Sequence, residues 1–318
     1  MDGSLRWGAV IAAAGRGSRF GGPKQLVELG GAPLASWSIR TFAAMHEVCE
    51  IVIVTEDDRA DRMMTLASAI TKDTPIRVVT GGATRQASVR AGLDALVACD
   101  AVLVHDGARP LVRSSDVRKG MRLVSAGRAA LLGIPVTDTI KVVDPARDTV
   151  LRTLERESLW AAQTPQLAML ADMRRAHAEA ARGEIESTDD AALLERVGVL
   201  VHIVPGSLDN FKITVPEDLS HAESLVRERL EHSPDEAEVL LVEIFSDATL
   251  VDAVCREIES RGGSIDGVDR DYPAAVAIRA FVPAERFEGF GDRFEAVGDG
   301  SMTFTTKFSH YAGRVEHA

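Results

Sequence analysis

Short apolar runs rich in β-branched residues or alanine recur along the first half of the chain, separated by amphipathic stretches. WGAVIAAA (7–14), EIVIVT (50–55), IRVVT (76–80), AVLVHD (101–106) and AALLGIPV (129–136) read as strands. Helical spacing appears near 34–45, 58–70, 85–97 and 115–126. The alternation predicts an open α/β sheet of mainly parallel strands, with ligand-binding loops at their carboxyl ends.

The rhythm changes over Thr139–Leu154, where TIKVVD, a polar PARD turn and TVLRTL predict an inserted β-hairpin arm. Helices around 170–182 and 189–197, a strand VLVHIV (199–204) and a helix from Pro216 to about Glu231 complete this region. The polar stretch HSPDEAE (232–238) marks a boundary, giving one domain over 1–231 and a second over 238–318. In the second, VLLVEIF, a helix over 248–261, a GG turn, AVAIRAFV, a short helix near 283–290 and SMTFTTKFSHY follow a small ferredoxin-like α+β order.

A composition of 46% hydrophobic and 26% charged residues is that of a globular protein, and no run approaches the roughly 20 apolar residues of a bilayer span. Arg6 and the following apolar run mimic a secretory signal, but the run is short and leads into a glycine-rich basic loop, so a cytoplasmic protein is expected. Cys49, Cys99 and Cys255 are far apart, with neither disulfide nor zinc spacing. The net charge is −12; from Asp235 onward 17 acidic residues face 8 basic ones, which argues against nucleic acid as a partner.

The loop after the first strand, Gly15-Arg16-Gly17-Ser18-Arg19-Phe20-Gly21-Gly22-Pro23-Lys24, places glycines and cations where backbone amides can face a polyphosphate. Phe20 breaks the dinucleotide spacing, and Pro23 and Gln25 around Lys24 break the Walker spacing. A solvated basic turn is the bland alternative.

Seven ordered segments carry a resemblance: AAAGRGSRFGGPKQ (12–25), GGATRQASVRAGL (81–93), VHDGARP (104–110), PVTDTIK (135–141), LERESLWAAQTPQ (154–166), STDDAALLE (187–195) and DNFKITVPEDL (209–219). From about residue 5 to 230 the chain resembles the 2-C-methyl-D-erythritol 4-phosphate cytidylyltransferases of non-mevalonate isoprenoid synthesis. The resemblance implies an open nucleotidyltransferase (Rossmann-like) sheet, Mg²⁺ as cofactor, CTP and methylerythritol phosphate as substrates, and a homodimer whose hairpin arms complete each other's sites. It assigns Arg19, Lys24 and Lys212 to catalysis on the triphosphate. Ala14, Gly15, Gly82, Ser88 and Asp106 fall to the nucleotide, and Arg109, Thr139, Arg156, Thr164 and Thr188 to the acceptor. Asp106 and Asp209 are its candidate metal ligands.

Each position has a plainer reading. Lys24 is expected on an exposed loop; Ser88 fits a helix surface or cap, and Ser187 or Thr188 an N-cap before ALLE. Asp106 and Arg109 could form a turn ion pair, and His105 reads as a packed core histidine. The acceptor phosphate is already an anion, so the implied transfer to CTP needs alignment and charge neutralisation but no general base. Transfer to ribitol 5-phosphate, or a CTP-sensing regulator without catalysis, are the alternatives. Residues 238–315 resemble the C-terminal domain of elongation factor G, including the RGG turn, RAFVP and FSHY, without any GTPase motif.

Overall fold

The computed structural model describes residues 5–15, 17, 20–231, 236–270, 275–287, 290 and 302–313. The chain divides into two compact units, Met1–Val226 and Arg227–Ala318.

In the first unit the chain runs β1 (Trp7–Ala12), β2 (Glu28–Leu29), β3 (Ala32–Pro33), α1 (Leu34–Ala43), β4 (Val48–Thr55), α2 (Ala60–Ile70), β5 (Ile76–Thr80), α3 (Arg85–Ala95), β6 (Ala101–Asp106) and α4 (Ser114–Leu123). It continues through β7 (Arg128–Pro135), the hairpin β8 (Lys141–Asp144) and β9 (Thr149–Thr153), β10 (Trp160–Met169), α5 (Leu170–Arg182), α6 (Asp190–Arg196), β11 (Leu200–Pro205) and the start of α7 (Pro216–Glu231), which runs on past Val226. Seven strands form one sheet in the order β11-β7-β10-β6-β1-β4-β5, parallel except where β10 runs antiparallel to β6 and β7.

Period-two alternation sorts the central strands onto two cores. Trp7, Ala9, Ile11, Ile51, Ile53 and Leu103 pack with α1, α2 and α4 on one face. Val10, Val52, Val54, Val102 and Val104 pack with α3, α5 and α6 on the other. Both sides of β1, β4 and β6 are therefore apolar, and each fully buried aliphatic side chain contributes about 1.5–3 kcal/mol. Close approach of α3 depends on Gly92, where a Cβ would lie 2.5 Å from Val10 Cγ1 and 2.8 Å from Val54 Cγ2.

β10 is absent from the sequence expectation. Its residues Gln163, Thr164 and Gln166 are polar yet buried, Pro165 cannot donate to a ladder, and the register with β7 shifts between Ala162 and Gln166. No alternation marks such a strand. The hairpin β8–β9 forms its own two-stranded sheet and leaves Val143, Val150 and Leu151 exposed. A satellite core of Leu29, Leu34, Leu111, Ile213, Ala222 and Val226 seats α7, and the Ile213 N–H donates to the Ala108 carbonyl at 2.9 Å. That bond draws the segment around Lys212 against the loop that follows β6.

The second unit contains β12 (Glu236–Ser246), α8 (Val251–Ser260), β13 (Ser264–Asp269), β14 (Val276–Pro283) and β15 (Thr303–Gly313). Its antiparallel order β13-β14-β12-β15 is ferredoxin-like, with Val254 and Ile258 of α8 packed on Val242, Ile244, Ile278 and Val282. The short helix expected near 283–290 begins as a 3-10 turn over Ala284–Arg286, and residues 288 and 289 lie outside the described residues. Among the described residues no helix is long and apolar enough to cross a membrane.

Candidate active site

β1 and β6 are adjacent and parallel, with Ala12 opposite Asp106, so the loops leaving both strands open on the same edge of the sheet. A cavity of about 220 Å³ sits there, lined by Ala12, Ala14, Gly15, Gly17, Lys24, Gln25, Arg85, Asp106, Ala108, Lys212 and Thr214. Among the described residues three cations and one carboxylate line it, an excess of positive charge suited to a polyanion.

The glycine loop is shaped by Gly17, whose φ of +64° and whose position, where a Cβ would come within 1.9 Å of the Gly22 carbonyl, admit no side chain. The N–H groups of Phe20, Gly21 and Gly22 turn back onto the Gly17 carbonyl at 2.9, 3.0 and 3.2 Å. Arg16, Ser18 and Arg19 lie outside the described residues. Lys24 is buried, correcting the expected exposed loop: it opens a 3-10 turn, Lys24–Leu26, and its ammonium donates to the Ile213 carbonyl. Gln25 donates through Nε2 to the Gly15 carbonyl at 3.0 Å, while its Oε1 is buried without a hydrogen bond.

Asp106 ends β6 and is 7% exposed. Its Oδ1 accepts from Arg85 Nε at 3.0 Å and its Oδ2 from Lys212 Nζ at 2.8 Å. Burial would raise this carboxyl, but Arg85 and Lys212 outweigh it and hold it well below the usual carboxylate range. Arg85, raised in turn, was missed from the sequence; it follows the N-cap Thr84, whose hydroxyl accepts from the Ala87 N–H at 3.1 Å. Burial opposes the Arg85 charge, and Asp190 and Asp106 more than compensate. The plain turn pair Asp106–Arg109 does not form: Arg109 instead donates to the carbonyls of Asn210 and Ala162, at 2.7 and 3.4 Å.

His105 is fully buried, edge-on to Phe42, and desolvation pushes it down to about 4. Its Nε2 lies 3.0 Å from the Arg109 carbonyl, which can only accept, so Nε2 carries the proton. Nδ1 then accepts from the Thr164 hydroxyl at 3.1 Å, and Thr164 Oγ1 accepts from the Asp106 N–H at 3.0 Å. This chain of donors fixes the loop on both sides of Asp106 with a neutral imidazole. Thr164, expected as an acceptor-substrate donor, is buried, its hydroxyl engaged by His105 and the Asp106 N–H. Asn210, unassigned from sequence, is buried beside it, donating to Thr164 O at 2.8 Å and Gln163 Oε1 at 3.2 Å.

Ser88 is buried on α3, accepting from the Gly82 N–H at 3.1 Å and donating to Thr84 O at 2.9 Å. It braces the glycine turn rather than lying on a helix surface, and the cap role belongs to Thr84. A Cβ on Gly81 would meet Ala14 at 2.6 Å, which keeps this side of the cavity narrow. The N-cap of α6 is Asp189, accepting from the Ala192 N–H at 3.1 Å, so neither Ser187 nor Thr188 fills that role; Thr188 is exposed. Thr139 and Arg156 are exposed beside the hairpin, Arg156 donating to Thr137 O at 2.8 Å, and neither lines the cavity. Asp209 is held by Arg113 at 2.6 Å and is likewise outside the lining.

Among the described residues no three His, Cys, Asp or Glu side chains converge to cage a metal. Among the described lining residues Asp106 is the single carboxylate, a donor that would suit a magnesium ion held mainly by phosphate oxygens rather than by a protein cage.

A family model described as 2-C-methyl-D-erythritol 4-phosphate cytidylyltransferase matches residues 8–228, and one described as elongation factor G C-terminus matches 239–315. The chain is 40% identical over 227 residues to the 2-C-methyl-D-erythritol 4-phosphate cytidylyltransferase of Halalkalibacterium halodurans, covering 71% of this chain and 99% of that protein. The solved structure of the enzyme of that name from Thermus thermophilus is 34% identical, covering 70% of this chain and 99% of its own, with a TM-score of 0.56. That of 4-diphosphocytidyl-2C-methyl-D-erythritol synthase from Anaerococcus prevotii is 27% identical, covering 70% and 97%, with a TM-score of 0.62.

Proposed function

The chain belongs to the 2-C-methyl-D-erythritol 4-phosphate cytidylyltransferase family, and on that premise we propose how its cavity performs the transfer. The enzyme moves CMP from CTP to 2-C-methyl-D-erythritol 4-phosphate, giving 4-diphosphocytidyl-2-C-methyl-D-erythritol and pyrophosphate in isoprenoid precursor synthesis. An oxygen of the acceptor phosphate bonds to the α-phosphorus of CTP, the bond from that phosphorus to the bridging oxygen breaks, and pyrophosphate leaves with the electron pair. Nothing has to be deprotonated, so the chain's work is to hold, align and neutralise.

Lys24 and Arg85 seat the triphosphate, joined by Arg19 from the glycine loop. Lys212 moves its charge from Asp106 to the α-phosphate, where negative charge accumulates in the transition state. Ala14, Gly15, Gly82 and Ser88 shape the narrow side for cytosine and ribose. Asp106, together with the CTP phosphates, would hold a magnesium ion, which would supply charge neutralisation for the pyrophosphate leaving group. Arg109 and Arg156, with Thr139 and Thr188, recognise the acceptor, the guanidinium fork of Arg156 matching a phosphate dianion.

The protein works as a cytoplasmic homodimer. The exposed apolar residues Val143, Val150 and Leu151 on the β8–β9 arm support the arm as the partner-binding element. The observation that carries the reading is the Arg85–Asp106–Lys212 cluster at the mouth of β6, facing Lys24 across one small cavity. Purified protein with CTP and Mg²⁺ is expected to release pyrophosphate with methylerythritol phosphate and not with ribitol 5-phosphate. Preference for ribitol 5-phosphate would reassign the acceptor, and CTP binding without turnover would leave a sensor.

A further inference from the structure

Behind Arg85, outside the cavity lining, lies a buried pair that the transfer chemistry does not use. Asp190 opens α6 and His177 lies on α5; both side chains are 1% exposed. The N–H groups of Asp190 and Ala191 each donate to Gln166 Oε1 at 2.8 Å, which ties the start of α6 to β10. His177 Nε2 lies 3.0 Å from Asp190 Oδ1, and its Nδ1 is buried without a hydrogen bond. A proton on Nε2, donated to Asp190 Oδ1, fits this contact.

Asp190 Oδ2 accepts from Arg85 Nη2 at 2.9 Å, while Arg85 Nε donates to Asp106 Oδ1 at 3.0 Å. Nε and Nη2 form one edge of the guanidinium, the edge that grips a single carboxylate bidentately when nothing competes. Here the fork is divided between two carboxylates. Without Asp190 the whole edge would close on Asp106, drawing it from Lys212 and turning the guanidinium away from its present setting. Such a buried pair contributes little net stability compared with apolar packing, so stability alone is a weak account of it.

We propose that Asp190, held by His177, is a positioning residue that keeps the Arg85 fork divided, so that Arg85 stays presented to the CTP phosphates and Asp106 stays shared with Lys212. The proposal rests on the cytidylyltransferase reading of the cavity. Asp190 touches neither substrate nor reacting atoms and acts only through Arg85.

The test is a double-mutant cycle on the full-length protein, with CTP binding in Mg²⁺ buffer measured by calorimetry and KM measured for CTP and for methylerythritol phosphate. Asp190→Asn should weaken CTP binding about tenfold and change the acceptor KM less than about twofold. Arg85→Ala should weaken CTP binding at least as much, and Arg85→Ala/Asp190→Asn should be no worse than Arg85→Ala alone. Additive losses, or an Asp190→Asn protein with a lower Tm and unchanged CTP affinity, would overturn the proposal. If Asp190→Asn does not fold, His177 carries the test. His177→Gln keeps a donor near Nε2 and should bind CTP like the parent, whereas His177→Phe should reproduce the loss. Equal CTP affinity in those two variants overturns it. A parent protein that binds no CTP would instead sink the reading of the cavity itself.

Discussion

The cavity floor and the hairpin arm are built on opposite plans. Asp106 and its neighbours are engaged within one chain: two cations on the carboxylate, Thr164 on its N–H, and His105 bridging Thr164 to Arg109. Around Thr139 and Arg156 the side chains are exposed, and apolar Val150 and Leu151 face solvent at 59% and 63% exposure. A preorganised floor can stabilise developing charge without reorganising, whereas an exposed arm gains its shape from what it meets. On the proposed reading, the nucleotide half of the site belongs to a single chain, and the acceptor half draws on the arm of a second copy.

The largest expected effect strikes the floor. Lys212→Ala should lower kcat/KM by about 10²–10³, because it removes a cation from the α-phosphate and leaves Asp106 to Arg85 alone. Its side chain is only partly buried, so the fold should survive, and circular dichroism with steady-state kinetics separates the two effects. Kinetics close to the parent's would remove Lys212 from the mechanism.

Next comes pH. His105 is held near 4 in the fold against an ordinary value of 6.5, so between these values the unfolded chain takes up a proton that the folded chain refuses. Stability should therefore fall as pH drops from 6.5 to 4, by on the order of 3 kcal/mol, with Asp106 and Asp190 extending the loss at lower pH. Urea unfolding across that range measures it, and His105→Asn should flatten the upper part of the decline. An unchanged slope in that variant would show that the floor is not the acid-sensitive element.

The smallest effect concerns the arm. Arg156→Lys keeps the charge but loses the planar fork, so the KM for methylerythritol phosphate should rise about tenfold while that for CTP stays put. A shift confined to CTP would move Arg156 to the other half of the site.

What the sequence discloses follows the same division. Strands buried on both faces, such as VIVT in β4 and VLVH in β6, announce themselves because parallel central strands are continuous apolar runs. Asp106 and Lys212 were legible from position and resemblance. β10 was not, because its buried Gln163, Thr164 and Gln166 serve hydrogen bonds rather than an apolar face. Arg85 was hidden for a related reason: beside a helix cap, an arginine looks like surface until the fold brings Asp106 and Asp190 to it from 21 and 105 residues away. The burial of Thr164 was hidden too, because a polar strand residue gives no sign of which way it turns.

The central claim, that each site joins one chain's floor to another chain's arm, is tested most directly by mixing Lys212→Ala and Arg156→Ala subunits. Each parent variant should be nearly inactive, while isolated heterodimers should regain one intact site and about half of the native dimer's turnover, the two sites acting independently. Verified heterodimers no more active than their parents would contradict it and place Arg156 at the site of its own chain.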